Sequence, residues 1–300
     1  MRVALKSMTK KTTKTMITIE AFAKVNFTLE VFAKRADGYH ALRSLVVPIC
    51  LSDSLTIEFA EGITSDLPYA DDLCVKAAKV LRDSAPQPEH LRGVRISVEK
   101  RIPAGGGLGG GSADAAAVLV ALNEMWSLNL SPERLAEIGA QVGSDVPALV
   151  LARFVGPVVM EGRGESVRSA GLEGAKCFLV IANPGVFCST PEVFAKCISR
   201  VTDDPGILYN MVSSFAAGDT GLMARSFMND LERPAVSLHP RIGFLKERLE
   251  RAGVLGAAMS GSGSTLFGLV RFEEEGRAIA ASLCAEGFKA WCVTTYCPVV

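Results

Sequence analysis

Six of the seven residues from Gly105 to Gly111 are glycine, in a stretch PAGGGLGGGSADAA that then turns abruptly into an alanine-rich, helix-forming run. Glycine loses more backbone freedom on folding than any other residue. Such a run is a poor choice for stability unless the backbone must take positive φ or something must approach it closely. A ligand is the economical explanation. The loop feeds a helix for which Ser112 is placed as the N-cap. The first N–H groups of that helix have no intrahelical partner, and its N-terminus favours an anion by roughly 0.3–2 kcal/mol. Phosphate fits that description.

The loop is not a Walker A sequence, because Ser112 follows Gly111 with no lysine between them. A dinucleotide-binding G-x-G-x-x-G can be written over Gly105, Gly107 and Gly110. A run of glycines satisfies almost any glycine pattern, however, and EKRIPAGGG lacks the short apolar strand that should lead straight into the first glycine. A nicotinamide-dependent oxidoreductase is therefore the rival from another class, and a nucleotide sensor without turnover is a third reading.

The remaining sequence bounds the fold. A chain of 300 residues, 49% hydrophobic, can build two domains with a sizeable core. Its 32 basic and 32 acidic residues cancel, which leaves no overall field to recruit nucleic acid or an anionic membrane. Eight cysteines occur without a C-x-x-C pair and with only three histidines, which argues against a zinc site or a disulfide framework and for reduced, mostly buried thiols in a cytosol. The basic segment 1–16 has no apolar core for secretion and is expected to be disordered; a plastid-type location would follow only if it were a transit peptide. The uncharged stretch from Ala252 to Val270 contains five glycines and four Ser/Thr, a poor membrane span.

Period-two stretches predict strands in ITIEAFAKVNFTLEVFAKR, LVVPICLSDSLTIEF, VRISVEKRI, AKCFLVIANPG, STLFGLV and FKAWCVTTY. Helices are predicted in DDLCVKAAKVLRDS, after the glycine loop, in SPERLAEIGAQVG capped by Ser131, in TPEVFAKCISRV, in HPRIGFLKERLERAG and in EEGRAIAASLCAEG. The result is an α+β pattern of two domains, 17–170 and 171–300, divided at the polar, glycine-rich EGRGESVRSAGLEG.

Three blocks, in order, resemble the motifs of the GHMP kinase superfamily, the galacto-, homoserine, mevalonate and phosphomevalonate kinases. They are AFAKVNFTLEVFAKRADGYHALRSL, PAGGGLGGGSADAAAVLVALN and GAAMSGSGSTLFGLV. The resemblance implies an N-terminal ATP-binding domain like the second domain of ribosomal protein S5 and a ferredoxin-like α+β C-terminal domain. AKVN, KRADGYHAL, GGGLGGGSADAA, GSDVP and NPGVFCSTPEVF together resemble the branch that phosphorylates a cytidine diphosphate conjugate of methylerythritol. An acceptor of the mevalonate or homoserine type is the alternative within the superfamily. A monomer or homodimer acting on a small molecule is implied, with no nucleic acid or membrane partner.

Phosphoryl transfer to an alcohol calls for positioning, charge neutralisation and a group to take the hydroxyl proton. By resemblance Asp145 is the base, with Lys24 beside it. An adjacent cation keeps the carboxylate ionised but makes it a weaker base, so early abstraction and late acceptance of the proton are both compatible with the sequence. Taken alone, Asp145 reads as a helix cap and Lys24 as an edge-strand lysine. The resemblance also puts His40 on the cytosine edge, Tyr39 and Phe194 on its two faces, and Asn26 and Thr190 at substrate positions. ATP would lie along Lys100, Pro103, Gly105, Gly106, Gly107, Leu108, Gly109, Gly110, Gly111 and Ser112, with Mg2+ carried by its phosphates and the Ser112 hydroxyl. The third motif, Ser260, Gly261, Ser262, Gly263 and Ser264, would close the site with backbone N–H groups. Asp114 is expected to point away from the phosphates. Asp72 stands where such kinases often have asparagine, and a carboxylate cannot donate to adenine.

Overall fold

The computed structural model describes residues 15–200 and 204–298. The basic segment expected over 1–16 lies outside them save for its last two positions, the second of which opens the first strand.

Two long strands organise the first half of the chain. β1 (Met16–Lys34) and β2 (His40–Ala60) pair antiparallel along most of their length. Their β-branched and aromatic residues suit a pleated surface, and the Asp37-Gly38 turn between them, with Gly38 at φ +84°, matches the Asp-Gly signal. β3 (Ile63–Ser65) and β4 (Gly93–Glu99) extend the sheet beyond one end of β2. β5 (Val158–Gly162) and β6 (Ser166–Ser169) extend it beyond the other. The polar segment 161–174 opens inside a hairpin, whose apolar residues Val158, Val159 and Met160, just ahead of that segment, pair with β2 and are buried.

Helices α1 (Leu73–Asp83), α2 (Gly110–Met125), α3 (Pro132–Gly139) and α4 (Val146–Val155) cover this sheet. α2 is buried nearly all round from Ala113 to Met125, and its alanines let β1, α1 and α4 approach it closely. Ser131 caps α3 as expected, accepting from the Arg134 N–H at 3.2 Å. Ser112 is not the cap of α2. Gly109, with φ +70°, occupies that position, so the helix starts before Ser112 and consumes part of the glycine run.

The second sheet comprises β7 (Phe178–Asn183), β9 (Gly256–Met259), β10 (Leu266–Val270) and β11 (Lys289–Thr294), antiparallel in the order β11-β7-β10-β9. That is the ferredoxin-like arrangement. α5 (Thr190–Ala195) follows β7 and is shorter than predicted. α6 (Pro205–Ala217), α7 (Thr220–Ser226), the two-residue β8 (Met228–Asn229), α8 (Glu232–Leu238) and α9 (Pro240–Arg251) fill the long connection. α10 (Glu273–Ala285) packs on β7 and β11. Of the thiols expected to be mostly buried, only Cys74, Cys177 and Cys188 are; Cys50 and Cys284 are exposed. Among the described residues no helix is long and apolar enough to cross a membrane.

The two sheets share a core. β8 runs parallel to β1, and the ring of Phe27 on β1 lies 5.4 Å from Phe215 of α6, 5.0 Å from Phe227 and 5.6 Å from Phe267 of β10. Phe27 is fully buried. Phe27→Ala is expected to lower stability by about 3–5 kcal/mol, read as a lower urea midpoint at unchanged slope. A loss below about 1 kcal/mol would show that this aromatic cluster does not hold the sheets together.

Candidate active site

The three sequence motifs meet where β1 passes under the glycine loop. Lys24 on β1 donates its backbone N–H to the Leu108 carbonyl at 3.0 Å, which fastens the loop to the strand, and buried Leu108 anchors the loop in the core. Lys24 is not an edge-strand lysine. Its side chain is 5% exposed, and Nζ lies 2.7 Å from Asn26 Oδ1 and 3.4 Å from Asp145 Oδ2. Asp145 occupies the N-cap position of α4 yet makes no capping bond with its side chain, unlike the helix cap it resembles in sequence. Its backbone is αR, so the carboxylate turns to the lysine instead.

Asn26 ties the rest together. Its Oδ1 also accepts the Gly261 N–H at 2.9 Å, and its Nδ2 donates to Ser44 Oγ at 2.8 Å. Within the third motif the Gly263 N–H donates to the Ser260 carbonyl, Ser260 Oγ to the Gly107 carbonyl and Ser264 Oγ to the Val186 carbonyl. The backbone donors of Gly261 and Gly263 are thus engaged by the protein. Asn229 Nδ2 donates to the carbonyls of Met259 and Gly261, a support that nothing in the sequence signalled.

Much of what approaches the glycine loop is the protein itself. A Cβ on Gly107 would stand 2.1 Å from the Ser260 carbonyl oxygen, one on Gly106 2.6 Å from Thr265 Oγ1, and one on Gly105 2.5 Å from the Phe187 ring. Gly105, Gly107 and Gly109 also hold positive φ. Gly111 differs, since the nearest atom to its Cβ position is Leu73 Cδ1 at 3.6 Å. Space above Gly111 and Ser112 at the helix N-terminus is therefore open to a ligand.

One cleft of about 1000 Å³ is lined by most of the predicted site residues, whereas Leu108, Ser260 and Ser264 are buried behind it. One set of its walls comes from Tyr69, Asp72, Leu73, Lys100 and Pro103, another from Tyr39, His40, Thr190 and Phe194, with Lys24, Asp145, Ser112 and the glycines between the motifs. Asp72 Oδ1 caps its own helix by accepting the Cys74 N–H at 2.7 Å. His40 Nδ1 lies 2.9 Å from the Phe32 carbonyl, which can only accept. Nδ1 therefore carries the proton in the neutral ring, and Nε2 the lone pair. The His40 and Phe194 rings are 5.7 Å apart, with Phe194 half-buried against the second core. Tyr39 is 59% exposed, and Thr190 Oγ1 lies 2.8 Å from Ser262 Oγ.

Lys100 is held between two buried carboxylates, Asp53 at 2.5 Å and Asp114 at 2.6 Å. Asp53 also accepts the N–H groups of Arg101 and Ile102, at 2.5 and 2.8 Å, and so fixes the approach to the glycine loop. It looks like any polar strand residue in LSDSL, and only the fold reveals it. Burial acts to lower the Lys100 pKa, but the two carboxylates outweigh it and hold the ammonium above its usual value. Asp114, with Oδ1 buried and unpartnered among the described residues, is pushed up to about 7, first by burial, with Asp53 adding to it and Lys100 opposing.

The models for the GHMP kinases N terminal domain and the GHMP kinases C terminal match residues 72–153 and 211–289. The chain is 37% identical over 262 residues to the 4-diphosphocytidyl-2-C-methyl-D-erythritol kinase of Brevibacillus brevis, which covers 86% of this chain and 88% of the relative. The kinase of the same name from Symbiobacterium thermophilum is 37% identical over 289 residues, 92% of this chain and 99% of its own. A crystal structure of 4-(cytidine 5'-diphospho)-2C-methyl-D-erythritol kinase superposes with a TM-score of 0.79 at 34% identity, covering 93% and 99% of the two chains. The homoserine kinase of Cytophaga hutchinsonii shares the fold, with a TM-score of 0.73 at 18% identity over 99% and 98% of the chains.

Between about pH 4, where an unfolded aspartate releases its proton, and about pH 7, folded Asp114 keeps its proton. Rising pH over this window therefore weakens the fold through this group. Asp114→Asn keeps an acceptor for Lys100 and removes the titration. The melting temperature of the variant relative to the wild type is expected to be higher at pH 8 than at pH 5. A difference independent of pH would show that Asp114 is ionised throughout.

Proposed function

The chain belongs to the GHMP kinase family and, within it, to the 4-diphosphocytidyl-2-C-methyl-D-erythritol kinases. From that premise we propose that it transfers the γ-phosphoryl group of ATP to the C2 hydroxyl of 4-diphosphocytidyl-2-C-methyl-D-erythritol. The products are the 2-phosphate and ADP, in the non-mevalonate route to isopentenyl diphosphate. The observation that carries the reading is the buried Lys24 ammonium, 3.4 Å from an uncapped Asp145 carboxylate, in the cleft that also holds the glycine loop and the Tyr39, His40 and Phe194 rings.

Asp145 accepts the proton of the acceptor hydroxyl as its oxygen bonds to the γ-phosphorus, and the bond from that phosphorus to the β-phosphate oxygen breaks to release ADP. Lys24 holds the carboxylate in place and offers its remaining N–H to the acceptor oxygen. The N-terminus of α2, open above Gly111 and Ser112, supplies N–H groups and a dipole to the phosphates. Among the described residues no three His, Cys, Asp or Glu side chains come together to hold a metal. This donor set fits a Mg2+ carried by the nucleotide phosphates, with the Ser112 hydroxyl as the protein's contribution. When bound, the ion neutralises phosphate charge.

At the acceptor end His40 Nε2 offers its lone pair to the exocyclic amine of cytosine, with Tyr39 and Phe194 for its faces. Asn26 and Thr190 position the substrate from β1 and α5. Lys100 and Pro103 flank the nucleotide. The reading implies a protein of the cytoplasm, monomer or homodimer, with small-molecule partners and neither nucleic acid nor membrane.

With ATP, Mg2+ and the diphosphocytidyl substrate, the protein is expected to release ADP and form a monophosphorylated product by mass. Asp145→Asn should lower kcat by about 10²- to 10⁴-fold while remaining folded. ADP release with mevalonate or homoserine alone would leave the superfamily standing and remove the cytidine reading. Two glycine variants separate packing from ligand approach. Gly107→Ala, forced against the Ser260 carbonyl at φ +76°, should lower the melting temperature. Gly111→Ala should leave it unchanged or higher and raise KM for ATP. Unchanged KM in Gly111→Ala would mean that the phosphates do not pass over that residue.

A further inference from the structure

The turn Gly162-Arg163-Gly164 joins β5 to β6 and presents Arg163 to the cleft. Both glycines hold positive φ, +74° and +115°. A Cβ on Gly164 would stand 2.6 Å from the carbonyl oxygen of Ser144, so the turn is seated on the residue that precedes Asp145. On its other side Glu165 Oε1 accepts from Arg35 Nη1 at 3.3 Å, Arg35 Nε donates to Asp37 Oδ2 at 3.1 Å, and Asp37 Oδ1 accepts the Tyr39 N–H at 3.1 Å. One short turn is thus tied both to the aspartate loop and to the β1–β2 turn that carries the aromatic groups.

Arg163 stands between those ties. Its guanidinium carbon lies 5.6 Å from the centroid of the Tyr39 ring; among the described residues it makes no ion-pair contact within 4 Å, and its charge acts at longer range on Asp37 and Glu165. Tyr39 is 59% exposed, so most of its surface is free of packing by the protein. A guanidinium over one face is attracted by the ring quadrupole and leaves the other face to a ligand. Lys24 and Lys100, deeper in the cleft, are employed by Asp145 and by Asp53 and Asp114, and Lys34 lines the cleft from the end of β1.

We propose that Arg163 is a positioning residue for base recognition, backing the Tyr39 ring so that its free face meets the pyrimidine of the acceptor substrate. The proposal rests on the cytidine reading of this cleft. It makes the β5–β6 turn a specificity element of the site and gives the two glycines a reason, since they seat the arginine between Ser144 and Tyr39.

Steady-state kinetics of the full chain test it, with Arg163→Ala, Arg163→Lys, Tyr39→Ala and the double variant Tyr39→Ala/Arg163→Ala. Arg163→Ala is expected to raise KM for the diphosphocytidyl substrate about two- to fivefold, the range set by an exposed cation–π contact, with kcat, KM for ATP and melting temperature unchanged. Arg163→Lys, which keeps a cation over the ring, should stay within about twofold of wild type. In the Tyr39→Ala background, removal of Arg163 should add nothing. An equal further rise there would put Arg163 on the substrate itself and overturn the proposal. So would an unchanged KM, or a fall in kcat or melting temperature. A wild-type protein that releases no ADP with this substrate would instead sink the cytidine reading, before any variant is compared.

Discussion

A single buried ammonium sets the terms for the rest of the molecule. A charge as enclosed as that of Lys24 is tolerated only where partners compensate its desolvation, and the compensation comes from two directions, the Asp145 carboxylate and the Asn26 carbonyl oxygen. Each partner is held by something else. Asp145 stays available because the backbone at the start of α4 does not place it as a cap. Asn26 is oriented by Ser44 on β2 and by the Gly261 N–H. Satisfying one lysine therefore brings β1, β2, α4 and the third glycine motif to one point, and the reactive pair lies there.

The glycine loop belongs to the same construction. Its carbonyls at Gly106, Gly107 and Leu108 accept from Thr265, Ser260 and Lys24, and the close contacts of Gly106 and Gly107 are with the third motif. A side chain at either position would separate the two sheets before it met a nucleotide. Glycine here is required first by the meeting of two backbones, and the ligand gains a rigid floor as a consequence. The open part of the run is its helical end, where N–H groups are available and no protein atom crowds Gly111.

The parts legible in the sequence share a property: their signal is local. Asp-Gly announced the β1–β2 turn, Ser131 the start of α3, and the alternation of β-branched residues most of the strands. The motif resemblance pointed to Lys24, Asn26, Asp145 and the loop, which the fold brings together. What escaped depends on distant partners. Asp53 matters because the turn 100–102 and Lys100 fold onto it from β4, and LSDSL carries no trace of that. Nothing local in EGRGESVRSAGLEG announces the β5–β6 hairpin, because Gly162 and Gly164 read as loop residues, whereas they allow a tight turn on Ser144. Ser112 reads as the cap in sequence because glycine is a poor helix former. Tertiary packing of α2 overrides that propensity and starts the helix at Gly110.

Asp114 poses an electrostatic difficulty, since a carboxylate in the first turns of α2 would repel the phosphates its N-terminus attracts. The fold resolves it by pairing and burial rather than by distance. Lys100 sits between Asp114 and Asp53, so one positive charge serves two acids, and burial raises Asp114 until a proton supplies part of the missing charge. The ammonium thereby forfeits freedom to swing toward a ligand, and the Asp53 bonds to the Arg101 and Ile102 amides hold the backbone beside it equally still. A rigid approach to the loop is what transfer by positioning demands, because interactions arranged beforehand need no reorganisation when the phosphoryl group moves. On this view the charged cluster is not a second chemical centre. It keeps the nucleotide side of the cleft in register with the Lys24–Asp145 pair.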